Sequence, residues 1–194
     1  KIQKKYKKKN INIYNKFSDL PNNIRFDITI SAIVGIAGLQ PTINFIGKSK
    51  KILLANKESI ICGWHILKKK SETAKTDIIP IDSEHFSIFQ LTKNCKDSDI
   101  KKIYITASGG PFLKTPIKNF KKIKASSALK HPNWNMGKKI TIDSSNLMNK
   151  VFELIEAYKF FPFNSNKYEI LIHPQSLIHA IVLFKNGQTK LLYH

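Results

Sequence analysis

Short apolar runs and longer stretches with helical spacing alternate along the chain, and their order predicts an α/β fold. Residues 28–34 form an apolar run that ends in Gly35. Gly38 follows, then Pro41 at the first turn of a helix through Phe45. Residues 51–55 form a second strand, ended by Asn56-Lys57-Glu58-Ser59. Strand, helix and strand at this spacing make a βαβ unit, whose natural product is a parallel sheet. A helix over 59–70 leads to a third strand over 76–81, and a helix over 86–91 follows. A polar, Lys-rich connection precedes a strand over 103–106, which ends in Ser108-Gly109-Gly110. Residues 118–124 read as a solvated segment, 131–137 as a loop rich in turn formers, and 140–142 as a brief strand. Two more strands cover 167–172 and 178–184, and Asn186-Gly187 signals a hairpin. Residues 1–16 offer few core positions and read as a frayed terminus or a loop-helix remnant.

The strongest helical pattern starts at Asp143, with Asp143 or Ser144 as the expected cap. At about 100° per residue, Leu147, Val151, Leu154, Ile155 and Tyr158 fall in one arc, with Met148 and Phe152 at its edge. Asn149, Lys150, Glu153 and Glu156 fall in the other. An amide, an ammonium and a carboxylate within one turn of a helix start suit an anion such as phosphate. A solvated helix face has the same pattern, so periodicity leaves both readings open.

Composition narrows the class. With 194 residues and 42% hydrophobic content the chain can build one domain with a real core or two small ones. No apolar run is long enough to span a bilayer. The two cysteines, Cys62 and Cys95, are far apart, which argues against a disulfide scaffold or a zinc finger. The chain opens on Lys with no signal-peptide pattern, and we expect a fragment or a trimmed product. The formal net charge of +20 invites a nucleic-acid reading. Arg25 is the one arginine among 33 basic residues, however, and base-reading sites lean on arginine. Lys, Ile and Asn share A/T-rich codons, so biased coding accounts for the charge without a selected partner.

Candidate chemistry gathers at strand ends, where α/β sheets hold ligands. Asn56, Lys57 and Glu58 follow the second strand. Asp82 and Glu84 stand two apart after the third, and paired carboxylates with water and substrate oxygens suit Mg2+ or Mn2+. Ser108 with Gly109 and Gly110 lets backbone approach an anion closely.

Seven motifs occur in order: Leu54-Ala55-Asn56-Lys57-Glu58-Ser59, Pro80-Ile81-Asp82-Ser83-Glu84-His85, Ser108-Gly109-Gly110-Pro111-Phe112, Ala128 to Trp134, Met136 to Ser144, Leu147-Met148-Asn149-Lys150 and Ile172-His173-Pro174-Gln175-Ser176. Together they resemble the 1-deoxy-D-xylulose 5-phosphate reductoisomerase family from about Asp27 onward. The resemblance implies the trailing part of a Rossmann-like NADPH-binding domain over residues 1–75. An α/β catalytic domain with a mixed sheet is implied over 76–194. It implies Asp82, Glu84 and Glu153 as ligands of Mg2+ or Mn2+, with Co2+ also admissible. Ser108, Ser144, Asn149 and Lys150 match the family's phosphate site. Lys57, Ser83, Glu84 and His131 match contacts to the rest of the substrate. Lys57, Glu84 and His131 take catalytic roles, and Glu153 also borders the substrate. Asn56, Glu58 and Gly137 match positions near NADPH. Trp134 and Met136 lie on the family's closing loop. His173 and His179 read as supporting or structural, and His85 as a support for the metal carboxylates.

The implied activity is NADPH-dependent rearrangement and reduction of 1-deoxy-D-xylulose 5-phosphate in non-mevalonate isoprenoid biosynthesis. The implied partner is a small sugar phosphate, with neither nucleic acid nor membrane, and the full-length protein is expected to be a homodimer. The implied compartment is a bacterial cytoplasm, or a plastid for a trimmed precursor. The chain departs from the family in lacking a G-x-G-x-x-G turn and a C-terminal helical domain. Only part of a cofactor site is therefore expected, and poor turnover by these residues alone. Val151 replaces a usual Gly, Asn146 a Thr, and Phe86 a small residue; Val151 falls on the apolar arc, which leaves open absorption by the core or a shift of the neighbouring Lys150. A non-catalytic remnant and a basic nucleic-acid-binding module are the rival readings.

Overall fold

The computed structural model describes residues 11–21, 23–130 and 137–193. Strands β1 (Phe26–Ser31), β2 (Ser49–Leu54) and β3 (Asp77–Pro80) form a parallel sheet in that order. The crossovers are α1 (Leu39–Phe45) and α2 (Lys57–Ala74). Ile46, Ile52, Leu54, Ile60 and Leu67 are buried together between these helices and the sheet. Each such side chain contributes roughly 1.5–3 kcal/mol by leaving water. Helix α2 starts two residues before the expected Ser59, because Asn56 Oδ1 accepts from the Ser59 amide at 2.6 Å and caps it. β3 lies just past residue 75 yet pairs with β2, so the first sheet extends beyond the expected division.

Helix α3 (Ser83–Leu91) leads into the second sheet. β4 (Ile100–Ala107), β5 (Tyr168–Ile172), β6 (Ile178–Phe184) and β7 (Thr189–Tyr193) are arranged β5-β4-β6-β7. β4 and β5 are parallel and the other pairs antiparallel, so the sheet is mixed as expected. The β6–β7 hairpin turns at Asn186-Gly187, with Gly187 at φ 87°. Ile88, Ile103, Ile105, Ala157, Phe161 and Val182 are among its core residues. Phe160 packs against both cores, and its ring stacks on Trp64 at 4.7 Å, which joins the two halves.

Three expectations fail between residues 138 and 160. Residues 140–142 are not a strand but the middle of helix α4 (Lys138–Ser145). Their β-branched pattern suits a strand, yet Thr141 is buried and its hydroxyl donates to the Gly137 carbonyl at 2.9 Å, a bond made one helical turn back. The long helix does not begin at Asp143. Helix α5 (Met148–Phe160) is separate, and Leu147 at φ 61° breaks the chain between the two. Asn146 Oδ1 accepts from the Met148 amide at 3.1 Å, whereas Asp143 pairs with Lys139 at 2.7 Å.

The faces of α5 are also reversed from the usual rule. Asn149, Lys150, Glu153 and Glu156 are buried, while Leu147, Met148, Val151 and Tyr158 are exposed. Val151 is 43% exposed, so the core does not absorb it, and its branched side chain has room. Further along, Ala157 and Phe161 belong to the core and Leu154 packs against it. Residues 131–136, and with them His131, Trp134 and Met136, lie outside the described residues.

Candidate functional site

A cavity of about 360 Å³ opens where the two halves meet. Lys57 enters it from the first turn of α2, and Asp82, Ser83 and Glu84 from the start of α3. Ser108 follows β4, and Ser144 closes α4. Asn149, Lys150 and Glu153 come from the first turns of α5. Lys57 follows β2, Asp82 follows β3 and Ser108 follows β4, so the cavity gathers at the carboxyl ends of strands from both sheets.

Lys150 is the electrostatic centre. Its Nζ donates to Glu84 Oε1 at 2.7 Å and to Glu153 Oε2 at 2.6 Å. Burial pushes the ammonium toward neutrality, but the two carboxylates outweigh it and raise its pKa. Burial likewise pushes Glu84 up, yet the Lys150 charge and hydrogen bonds from His179, Lys150 and Ser83 hold it well below the usual range. Glu153 is pushed up to about 7 by burial and by the Glu84 charge, against the pull of Lys150 and Lys57. The two carboxylates thus differ in basicity although they share one ammonium.

His85 braces the carboxylates from behind. Its Nδ1 is 2.5 Å from Asp82 Oδ2 and its Nε2 is 2.9 Å from the Glu153 carbonyl. A carboxylate and a carbonyl both accept, and a ring protonated on each nitrogen satisfies the two together. Burial opposes that charge, but Asp82 and Glu156 outweigh it and the pKa rises to about 9. His85 therefore supports Asp82 and also the backbone of α5.

Serine, amide and ammonium groups gather beside the carboxylates. A small pocket of about 20 Å³ is bounded by Ser108, Gly109, Ser144, Asn149 and Lys150, among others. The turn that brings Ser108 there depends on Gly110, which has φ 70° and lies so close to α4 that a Cβ would stand 2.6 Å from the Ser144 carbonyl. Lys57 Nζ donates to Asn149 Oδ1 at 2.8 Å, and Asn149 Nδ2 donates to Glu153 Oε1 at 2.5 Å.

The positions expected near a dinucleotide are placed differently. Asn56 is buried, and its Nδ2 donates to the Gly35 carbonyl at 2.8 Å and to that of Ile33. It ties the loop after β1 to the start of α2. Glu58 is half-buried in the first turn of α2, and Gly137 is exposed at the start of α4. Neither lines the cavity. His173 accepts from the Leu177 amide at 3.1 Å and so braces a turn, while buried His179 reaches the cavity with Nδ1 3.7 Å from Glu84 Oε1. Thr106 and Ser176 also line it, and neither was singled out from the sequence. Ser176 closes the His173-Pro174-Gln175-Ser176 run, which was the available signal.

Asp82, Glu84 and Glu153 share the cavity and offer the all-oxygen set that hard divalent cations take. Glu84 and Glu153 already converge on one cationic centre, the Lys150 ammonium. Among the described residues, no group of three His, Cys, Asp or Glu side chains stands in metal-holding geometry. Asp82 Oδ2 faces His85 instead. The donor set fits such an ion in its chemistry.

Fold and site together define an α/β protein with a charged cleft built across two sheets. Two profiles of one family match the chain: 1-deoxy-D-xylulose 5-phosphate reductoisomerase over residues 1–63, and its C-terminal domain over 78–161. The chain belongs to the 1-deoxy-D-xylulose 5-phosphate reductoisomerase family. It is 53% identical over 188 residues to the enzyme of that name from Pelagibacter ubique (strain HTCC1062), covering 95% of this chain and 48% of that one. A crystal structure of DOX-P reductoisomerase in complex with NADPH, fosmidomycin and magnesium aligns with a TM-score of 0.78 at 39% identity, covering 86% of this chain and 43% of that one. The Zymomonas mobilis enzyme in complex with NADPH gives the same TM-score at 40% identity, with the same coverage. The chain spans about half the length of the relatives it matches.

Proposed function

We propose that this chain carries the metal- and phosphate-binding part of an NADPH-dependent reductoisomerase that converts 1-deoxy-D-xylulose 5-phosphate to 2-C-methyl-D-erythritol 4-phosphate. The observation that carries this is one cavity lined by Lys57, three carboxylates and a Ser, Asn and Lys set, in a chain of that family. Ser108, Ser144, Asn149 and Lys150 bind the phosphate, remote from the reacting carbons. Its binding energy then serves orientation. Ser83, Glu84 and His131 contact the rest of the sugar. Lys57 adds positive charge at a substrate oxygen or passes it a proton. When bound by Asp82, Glu84 and Glu153, Mg2+, Mn2+ or Co2+ supplies Lewis-acid stabilisation of charge on the ketone and hydroxyl oxygens. NADPH, near Asn56, Glu58 and Gly137, supplies the hydride.

Glu84, held ionised, suits a permanent ligand, while Glu153 gives up its proton near neutrality. The division into an NADPH part and a catalytic part falls near residue 75, with β3 carried by the first sheet. The ligand is a small sugar phosphate rather than nucleic acid, since buried carboxylates line the cavity wall and repel a polyanion. No described helix is long and apolar enough to cross a membrane, and a cytoplasmic enzyme, homodimeric at full length, completes the proposal.

Calorimetry with a phosphonate-hydroxamate mimic of the substrate tests the reading. Binding is expected with Mn2+ and lost with EDTA, and Lys150→Ala weakens it at least about tenfold, as loss of a charge-assisted contact does. Metal-independent binding by a folded sample contradicts the proposal.

A further inference from the structure

Glu156 lies one turn beyond Glu153 on the inward side of α5, and the reaction outlined above makes no use of it. It is 2% exposed, and its Oε2 has no hydrogen-bond partner among the described residues. A buried carboxylate left in that condition is costly, so its place in the fold calls for a function. Lys57 Nζ stands 3.8 Å from that oxygen, and the charges of His85 and Lys57 both act on the carboxylate.

Lys57 belongs to α2, on the far side of the seam, yet both anchors of its ammonium belong to α5. Asn149 Oδ1 holds it at 2.8 Å, and Glu156 stands behind. The Asn149 amide is oriented in turn by its bond to Glu153. Glu153 also feels the Lys57 charge. Without Glu156, the remaining pull on the ammonium comes from the carboxylates at the centre of the cavity.

We propose that Glu156 is a positioning residue. It holds the Lys57 ammonium at the cavity wall, facing a substrate oxygen and clear of the carboxylates assigned to the metal. The inference rests on the proposed reductoisomerase function, because it is the Lys57 contact to substrate that Glu156 sets. Glu156→Gln keeps the shape and removes the charge.

The test uses the enzyme expressed from its complete reading frame. Glu156→Gln is expected to lower kcat about tenfold with KM for the sugar phosphate within about twofold, since an orienting contact acts on the reacting complex. In a Lys57→Gln background the same substitution changes kcat by less than about twofold, because the two act through one contact. Where the Lys57→Gln background turns over too slowly for a steady-state assay, single-turnover NADPH oxidation with enzyme in excess follows the same cycle. Wild-type kcat in Glu156→Gln, a rise in KM alone, or a loss that persists in full without Lys57 each overturns the positioning role. If the unsubstituted enzyme does not turn over the sugar phosphate, the proposed function falls, and the inference falls with it. If it does and Glu156→Gln matches it, the positioning role alone fails.

Discussion

At Lys150, burial and charge oppose each other, and the outcome depends on both carboxylates. Removing the ammonium leaves Glu84 and Glu153 buried and facing each other. Lys150→Met is therefore expected to destabilise by about 3 kcal/mol at pH 8, the usual cost of breaking a buried pair. The loss shrinks toward pH 6, as Glu153, whose pKa lies at about 7, takes up a proton and ceases to repel Glu84. Urea unfolding at the two pH values measures both. His85 has the opposite dependence. Its folded pKa of about 9 lies above the ordinary 6.5, so its contribution is fully present below about pH 6.5 and is lost as pH rises through 9. At 1.36 kcal/mol per unit, the loss approaches about 3 kcal/mol. In EDTA-treated protein, His85→Gln is expected to flatten the stability profile between pH 7 and 10. A profile still falling by that amount shows that the ring is not the group responsible. The identities of these residues were legible from short motifs. Their pairing was not, because no spacing along the chain shows that Lys150 bridges Glu84 to Glu153.

Among the elements, strands were the more readable. β2, β4 and β6 bury one face or both, and their apolar runs announce them. The two helices beside the site were misread for different reasons. Periodicity assumes that apolar residues face inward, and at α5 the inward face lines the cavity and is filled with charge. The Ile140-Thr141-Ile142 triplet reads as a strand because β-branched residues favour one, but with no neighbouring strand to pair it the local preference yields to helix. The turn after β4 tests how closely the elements are fitted. Gly110→Ala is expected to cost about 2 kcal/mol, from the strain of a positive φ added to the clash with Ser144. It is also expected to weaken phosphate-dependent binding, because Ser108 and Ser144 move apart. Thermal melting and calorimetry on one sample separate the two effects. Binding unchanged in a destabilised protein shows that the turn serves the fold alone.

For the whole molecule, the consequential feature is the seam. Two sheets with separate cores meet through α2 and α5, and the stacked Trp64 and Phe160 rings lie in that contact. Lys57 crosses the seam to reach Asn149. Trp64→Ala is expected to cost about 3 kcal/mol, as large aromatic truncations do. Beyond stability, it is expected to weaken ligand binding, since Lys57 no longer sits at a fixed distance from α5. Urea unfolding gives the first effect and calorimetry the second, and unchanged affinity shows that the seam does not set the site. The α/β class and the parallel first sheet were legible in the order of apolar runs, and the mixed second sheet followed from the family resemblance. The seam was not, because Trp64 and Phe160 are far apart in sequence and neither carries a motif.

Helix α5 is attached by two different forces along its length. Its later turns are held by Leu154, Ala157 and Phe161 in an apolar core, and its first turns by Asn149, Lys150 and Glu153 in a charged one. Opening the later turns exposes oily surface, so it carries a large heat capacity change and responds steeply to urea. Opening the first turns exposes mainly charge, so urea hardly registers it while acid and salt do. The two ends of one continuous helix are thus expected to answer to different agents, with buried Glu156 carrying charge into the later turns.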